Sequence, residues 1–328
     1  MRYRAMIVAA VLLAGAAAPL PMRVIAPLPL TPAGATPSPV LPEVSAWAFP
    51  EHRAVPPVGG WDNVTPNHVP GSTRGYTTAQ LHDLQHAVDW FPERHPPMPP
   101  VVAAGHAPDV KACGFCHQPD GNGRPENASL AGLPVAYIER QVAAFADGSR
   151  RAAMPGWLPT AMMTATAHAA SPAELHAAAV YYNGLHFSSS VRVVETPDVP
   201  RVEARSFILA LVAGGGREPT GERIVETPVD FERFERRDPT SNYVAYVPPG
   251  SLARGSVITA RAGCAGCHAG MMQQWGAGRS PSYIFRQLLA FKTGARHDAG
   301  AAPMAAVAAQ LTPPDMIAAA AYWASLKP

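Results

Sequence analysis

All four cysteines of this chain fall in two copies of one five-residue pattern, Cys113-Gly114-Phe115-Cys116-His117 and Cys264-Ala265-Gly266-Cys267-His268. C-x-x-C-H is the attachment signature of c-type haem. Each thiol forms a thioether with a vinyl group, and the histidine that follows gives the iron its proximal nitrogen. Cys113, Cys116, Cys264 and Cys267 are therefore read as covalent tethers of two haem c groups, and His117 and His268 as iron ligands. A single motif would leave open a thioredoxin-like redox pair or half a zinc site. The strongest rival here is one four-cysteine zinc site joining both pairs, which leaves the matched histidines unexplained.

The motifs sit inside a longer internal repeat. Tyr137, Ile138, Gln141, Phe145, Gly148 and Arg150 recur 146 residues later as Tyr283, Ile284, Gln287, Phe291, Gly294 and Arg296. Ser171, Tyr181 and Leu185 recur 141 residues later as Thr312, Tyr322 and Leu326, whereas the Cys and His offset is 151. The units thus share a frame with two loop-length changes. Ser171-Pro172-Ala173-Glu174 is a capping box with proline at the first helical position, and Thr312-Pro313-Pro314-Asp315 is nearly the same start. Each opens an Ala-rich helix ending near Leu185 or Leu326. Residues 135–147 and 282–293 carry helical periodicity, with Gly148 and Gly294 where C-terminal caps belong. Their tyrosines and phenylalanines read as core.

An electron-transfer haem has both axial positions filled, and a thioether opposite histidine raises its potential. Met163 stands eight residues before Ser171 and Met304 eight before Thr312, so they form the matched pair. Met162 is the nearest rival and Met154 a weaker one. His168 and His297 fall in suitable loops but lack counterparts in the other unit. Met271 and Met272 read as packing. The carbonyl of Pro125 stands where it can receive the ring N–H of His117, or Pro125 simply stiffens the loop. The second unit has Trp275-Gly276 in that region, so the two centres should differ in potential.

These residues resemble the class I cytochrome c family, in particular tandem dihaem cytochromes of the cytochrome c4 type. Beyond C-x-x-C-H, the likeness runs through Leu130-Ala131-Gly132, Tyr137 to Arg150, Met163 and the final Ala-Tyr helix, and is repeated from Arg279 to Tyr322. It covers roughly residues 100–187 and 251–328. It implies an all-α fold of two haem domains, His/Met ligation and periplasmic electron transfer. Some sixty residues between the units and some eighty ahead of the first depart from that pattern.

The expected organisation is a signal peptide over 1–18, a Pro-rich extension over 19–100, haem domain 1 over 101–187, a partly β segment over 188–250 and haem domain 2 over 251–328. Met1-Arg2-Tyr3-Arg4 followed by an apolar run to Ala18 is the export signal, too short for a comfortable membrane span. The extension is expected to wrap the haem domains, with a short helix between Thr77 and Trp90. Arg192–Pro197 and Arg223–Pro228 are short, β-branched and ended by proline, which suits strands. Phe207 to Val212 is too apolar for a free linker, Gly214-Gly215-Gly216 marks a turn, and the charged run Glu232–Asp238 reads as a solvated face.

A net charge of +2 excludes a strongly basic nucleic-acid surface. Its distribution is uneven: residues 101–190 carry five Lys/Arg and six Asp/Glu, residues 251–328 seven and two. A basic second unit suits an acidic redox partner. The reading is a periplasmic carrier, not an enzyme, between a dehydrogenase or quinol-oxidising complex and an oxidase or another cytochrome. The alternative is a dihaem oxidoreductase acting on peroxide or thiosulfate. No spare cysteine and no Gly-rich nucleotide fingerprint supports it.

Overall fold

The computed structural model describes residues 42–51, 62–268 and 276–328. The expected signal peptide, Met271, Met272 and Trp275 lie outside them. In the extension, α1 spans Pro42–Ala48, β1 Pro66–Asn67, β2 Tyr76–Thr77 and α2 Thr78–Leu81, with a 3₁₀ turn at Pro92–Arg94. The helix expected between Thr77 and Trp90 is only this one turn. Thr77 and Gln80 close a capping box, but no apolar period follows to extend it.

The first unit holds α3 (Pro100–Ala103), α4 (Cys113–His117), α5 (Val135–Ala146), α6 (Leu158–Ala169) and α7 (Pro172–Asn183). The Ser171 capping box forms as its residue types require, and Gly148 takes φ +76° after α5. Ile138, Val142, Ala178, Ala179 and Tyr182 fill the space between α5 and α7.

The middle segment holds β3 (Val191–Glu195), β4 (Asp198–Pro200), β5 (Val202–Arg205), β6 (Ile208–Leu211), β7 (Arg217–Pro219), β8 (Val225–Pro228), α8 (Phe231–Glu235) and β9 (Tyr243–Val247). The two repeated Val-Glu-Thr-Pro strands do not pair with each other. Both flank β9, β3 in parallel from Val191 opposite Tyr243, and β8 antiparallel from Val225 opposite Tyr246. The all-α reading therefore holds for the two units and not for the chain. The Glu232–Asp238 run is not a solvated face either: Phe234 and Asp238 are buried, because this short helix carries an aromatic core residue among its charges.

The second unit holds α9 (Ser251–Arg261), α10 (Cys264–His268), α11 (Pro281–Lys292), α12 (Ala302–Ala309) and α13 (Pro313–Ser325). Helices α9 and α13 cross in close contact. A Cβ on Gly255 would stand 2.1 Å from the Ala318 carbonyl oxygen, so only glycine admits the crossing. The first unit has just one turn, α3, in the corresponding place. One apolar core joins α11 and α13 to the sheet and to α1, where Trp47 meets Phe285 at 4.5 Å between ring centres. Among the described residues no helix is long and apolar enough to cross a membrane.

Candidate haem sites

Helix α4 presents Cys113, Cys116 and His117 to a cavity whose other walls include Met162 and Met163 on α6. Nδ1 of His117 lies 2.8 Å from the Ala128 carbonyl oxygen, so it donates there and leaves Nε2 as the free donor atom. The acceptor is thus Ala128, not Pro125. The carbonyl of Pro125 instead accepts from the Arg286 guanidinium of the second unit. The loop makes this turn through Gly121 and Gly123, both at positive φ, and Gly123 N–H returns to the His117 carbonyl at 3.0 Å.

Burial pushes the Cys113 thiol up to about 12, with Cys116 adding to the effect, and burial also raises Cys116. A dithiol redox centre needs the opposite shift, since the thiolate is its nucleophile. Burial lowers His117, which keeps the imidazole neutral as ligation requires. Among the described residues no three His, Cys, Asp or Glu side chains group to hold an ion, so the two cysteine pairs do not converge on a shared zinc site.

The cavity fits a planar apolar group that bears carboxylates. Leu130, Leu133 and Val142 line it, and Arg150, Arg279 and Arg286 stand at its wall. The Trp157 indole N–H and the Tyr182 hydroxyl line it too, are buried, and make no hydrogen bond within the chain. Buried donors of this kind call for an acceptor that the polypeptide does not supply.

In the second unit the contact between the motif histidine and the last helix recurs. The His117 ring meets Tyr182 at 6.3 Å and 70°, and the His268 ring meets Trp323, 141 residues on from Tyr182, at 5.9 Å and 69°. Met304 sits on α12 and packs against Phe291, Ala301 and Ala308. His168 and His297 are exposed. The structure brings both Met162 and Met163 to the first cavity and does not choose between them.

No family model matches the chain. A curated protein of Thiomonas intermedia (strain K12), named thiosulfate dehydrogenase electron acceptor, is 35% identical over 88 residues. That stretch is 26% of this chain and 37% of the relative, so the chain spans about a third of the curated relative's length. Among solved structures, thiosulfate dehydrogenase TsdBA from Marichromatium purpuratum matches with a TM-score of 0.41 and 26% identity, over 66% of this chain and 37% of that one. Cytochrome c4 from Pseudomonas stutzeri matches with a TM-score of 0.41 and 22% identity, over 65% of this chain and 93% of that one.

Two features of the site are absent from the sequence reading. The first is a junction between units. Gln141 accepts from Arg150 and from Arg296, each at 2.7 Å, while Arg150 also reaches Tyr283 and Gln287, and Arg296 reaches Tyr137 and Gln287. The matched offsets were the available signal; of these residues only the tyrosines were given a role, as core. The second is Arg237, whose guanidinium lies 3.4 Å over the Phe115 ring inside the first C-x-x-C-H loop. Its Nη1 donates to the Phe115 carbonyl and its Nε to that of Leu81, both at 2.9 Å. No local pattern announces that contact.

Proposed function

We propose that this chain is an exported dihaem c-type cytochrome that carries electrons between protein partners. The observation that carries the reading is the first site. Two half-buried thiols and a neutral histidine, oriented by Ala128, line one cavity together with Met162 and Met163. Bound there, haem supplies reversible one-electron chemistry. In residues 101–187, Cys113 and Cys116 are the tethers, His117 the proximal ligand and Met163 the distal one. In residues 251–328, Cys264, Cys267, His268 and Met304 take those roles. Residues 42–51, 62–100 and 188–250 pack on the two units, and 1–18 direct export to the periplasm.

Met thioether on both irons closes them to small ligands, which suits a carrier rather than an enzyme. The donor is a dehydrogenase or quinol-oxidising complex and the acceptor an oxidase or another cytochrome. The partial likeness to a protein named for accepting electrons from thiosulfate dehydrogenase supports a dehydrogenase as donor. The test is expression with a c-type maturation system, followed by a pyridine haemochrome assay and a redox titration under carbon monoxide. The expected outcome is two thioether-linked haems per chain, both inert to carbon monoxide when reduced. Zinc at the thiols, or no haem at all, overturns the reading. One haem that binds carbon monoxide turns it towards an enzyme.

A further inference from the structure

The N-terminal extension carries two buried ionisable side chains with no part in the sites above. Nε2 of His95 lies 3.1 Å from Oδ1 of Asp89, with side chains only 6% and 10% exposed. Nδ1 of His95 lies 2.9 Å from the Pro96 carbonyl oxygen and 3.0 Å from the Tyr181 hydroxyl on α7. That hydroxyl donates to the Pro119 carbonyl at 2.6 Å. A carbonyl only accepts, so Pro96 requires a proton on Nδ1, and Tyr181, its own proton committed to Pro119, accepts as well. Nε2 then faces a carboxylate, and one proton must lie between them. The structure thus shows the pair with its shared proton in place, in a site almost closed to solvent.

The pair is connected to the first unit through aromatic rings. His95 meets Tyr181 at 6.3 Å, Tyr181 meets Tyr182 at 5.2 Å, and Tyr182 meets His117 at 6.3 Å. The second unit keeps the tyrosine as Tyr322, but among the described residues no Asp–His pair reaches it. Other groups face the pair from each packed element. Asp120, raised by burial against the hydrogen bonds from Asn122, comes from the loop after α4. The Tyr76 hydroxyl donates to the Asp89 carbonyl at 2.8 Å. Arg94 of the 3₁₀ turn is occupied with Glu93 and the Phe91 ring. Burial, then Asp89, keeps Tyr181 protonated.

We propose that Asp89 and His95 form a proton site coupled to the redox state of the first unit, so that electron transfer at that unit is proton-coupled. This rests on the reading of the chain as a dihaem cytochrome. As the unit gains one electron from its donor it loses one positive charge, and the pair gains a proton from solvent. Oxidation reverses both transfers. The extension thereby gives the first unit a pH response that the second lacks.

The experiment is a potentiometric titration of the holoprotein between about pH 5 and about pH 8, where histidine charge changes. One of the two redox waves is expected to move to lower potential as pH rises, and the other to stay in place. In His95→Gln, which cannot carry the extra proton, the moving wave becomes flat. In Asp89→Asn the anion that holds the proton is lost, and the pH window moves downwards. If a variant fails to mature, the wild type still decides. Oxidation in weak buffer should release up to about one proton per chain. Two haems with pH-independent waves, or a slope that survives His95→Gln, overturns the coupling alone. A mature chain without haem overturns the cytochrome reading instead.

Discussion

Arg150 and Arg296 lie across from each other as an antiparallel bridge, and each guanidinium donates both to the glutamine of its own unit and to that of the other. The backbone joins in, with Arg151 N–H on the Ala295 carbonyl and His297 N–H on that of Ser149, both at 2.8 Å. The repeat thus folds on itself about a local pseudo-twofold; Arg150 is held by neutral oxygens, while Arg296 also faces the Asp298 carboxylate at 3.4 Å. Burial, then the neighbouring Arg296, lowers Arg150. At Arg296 burial is outweighed by Tyr137 and Asp298, which raise it, so the junction depends on its acceptors.

Gln141→Leu removes the oxygen that both guanidiniums reach at 2.7 Å. Donors of buried charged groups left short of an acceptor cost about 2–3 kcal/mol. The expected result is a loss of that size in denaturant unfolding. Gln287→Leu should cost less, because its two bonds are longer, 3.1 and 3.0 Å, and it is less buried. The reverse order would show that the junction does not carry the load assigned to it.

Much of this was legible in the sequence for local reasons. Ser171 with Glu174, Thr312 with Asp315, and glycines 148 and 294 each act within one turn of their own helix, so their effect can be read from spacing. The cysteines and histidines can be proposed as haem ligands from sequence because covalent attachment demands contiguity. Ala128 was not, because its carbonyl reaches His117 through a loop whose path depends on two glycines at positive φ. Matched Tyr, Gln and Arg residues mark a shared position but not which unit they face. Arg237 and His95 belong to Pro-rich segments without periodicity, and only packing across more than eighty residues brings them to the first unit.

On the dihaem reading proposed above, Met163→Leu should convert one of the two haems to a form without methionine ligation, with loss of its sulfur-to-iron absorption band and a lower potential. Met162→Leu should leave both haems in place and closed. Both side chains line the first cavity, so the comparison decides between them. Met304→Leu should do to the second haem what Met163→Leu does to the first. An unchanged spectrum in either variant removes that methionine from the ligand set.

Arg237→Ala should loosen the first attachment loop and the extension together. The side chain stacks on Phe115, bonds the carbonyls of Phe115 and Leu81, and is pulled down to about 9 by burial, then by Arg124. A desolvated cation–π contact is worth about 2 kcal/mol, and two orphaned carbonyls add to that. The expected loss is about 2–4 kcal/mol, with faster proteolysis in the extension around residues 81–91. Arg237→Lys should recover only part, since an ammonium cannot bond both carbonyls while lying flat on the ring. Unchanged proteolysis would mean the extension is held elsewhere, with Trp90 N–H on the Arg236 carbonyl as the next candidate.

Asp315 should set the acid limb of the stability profile. Burial pushes its carboxyl up, but the Thr312 hydroxyl and amide and the Arg254 guanidinium outweigh it, and the group falls from 3.8 to about 2. A folded-state value below the unfolded one means stability that is complete above the unfolded value and is lost as pH falls towards the folded one. With Arg254 half exposed and its charge screened by water, that difference is worth about 1 kcal/mol at neutral pH. Asp315→Asn should therefore be less stable by about 1 kcal/mol at pH 7. The gap to the wild type should close between about pH 4 and about pH 2, where the wild-type carboxylate is protonated. Urea unfolding of both proteins across that range checks it. A gap that stays constant down to the lowest pH would mean that the loss comes from packing at the start of α13 rather than from the charge.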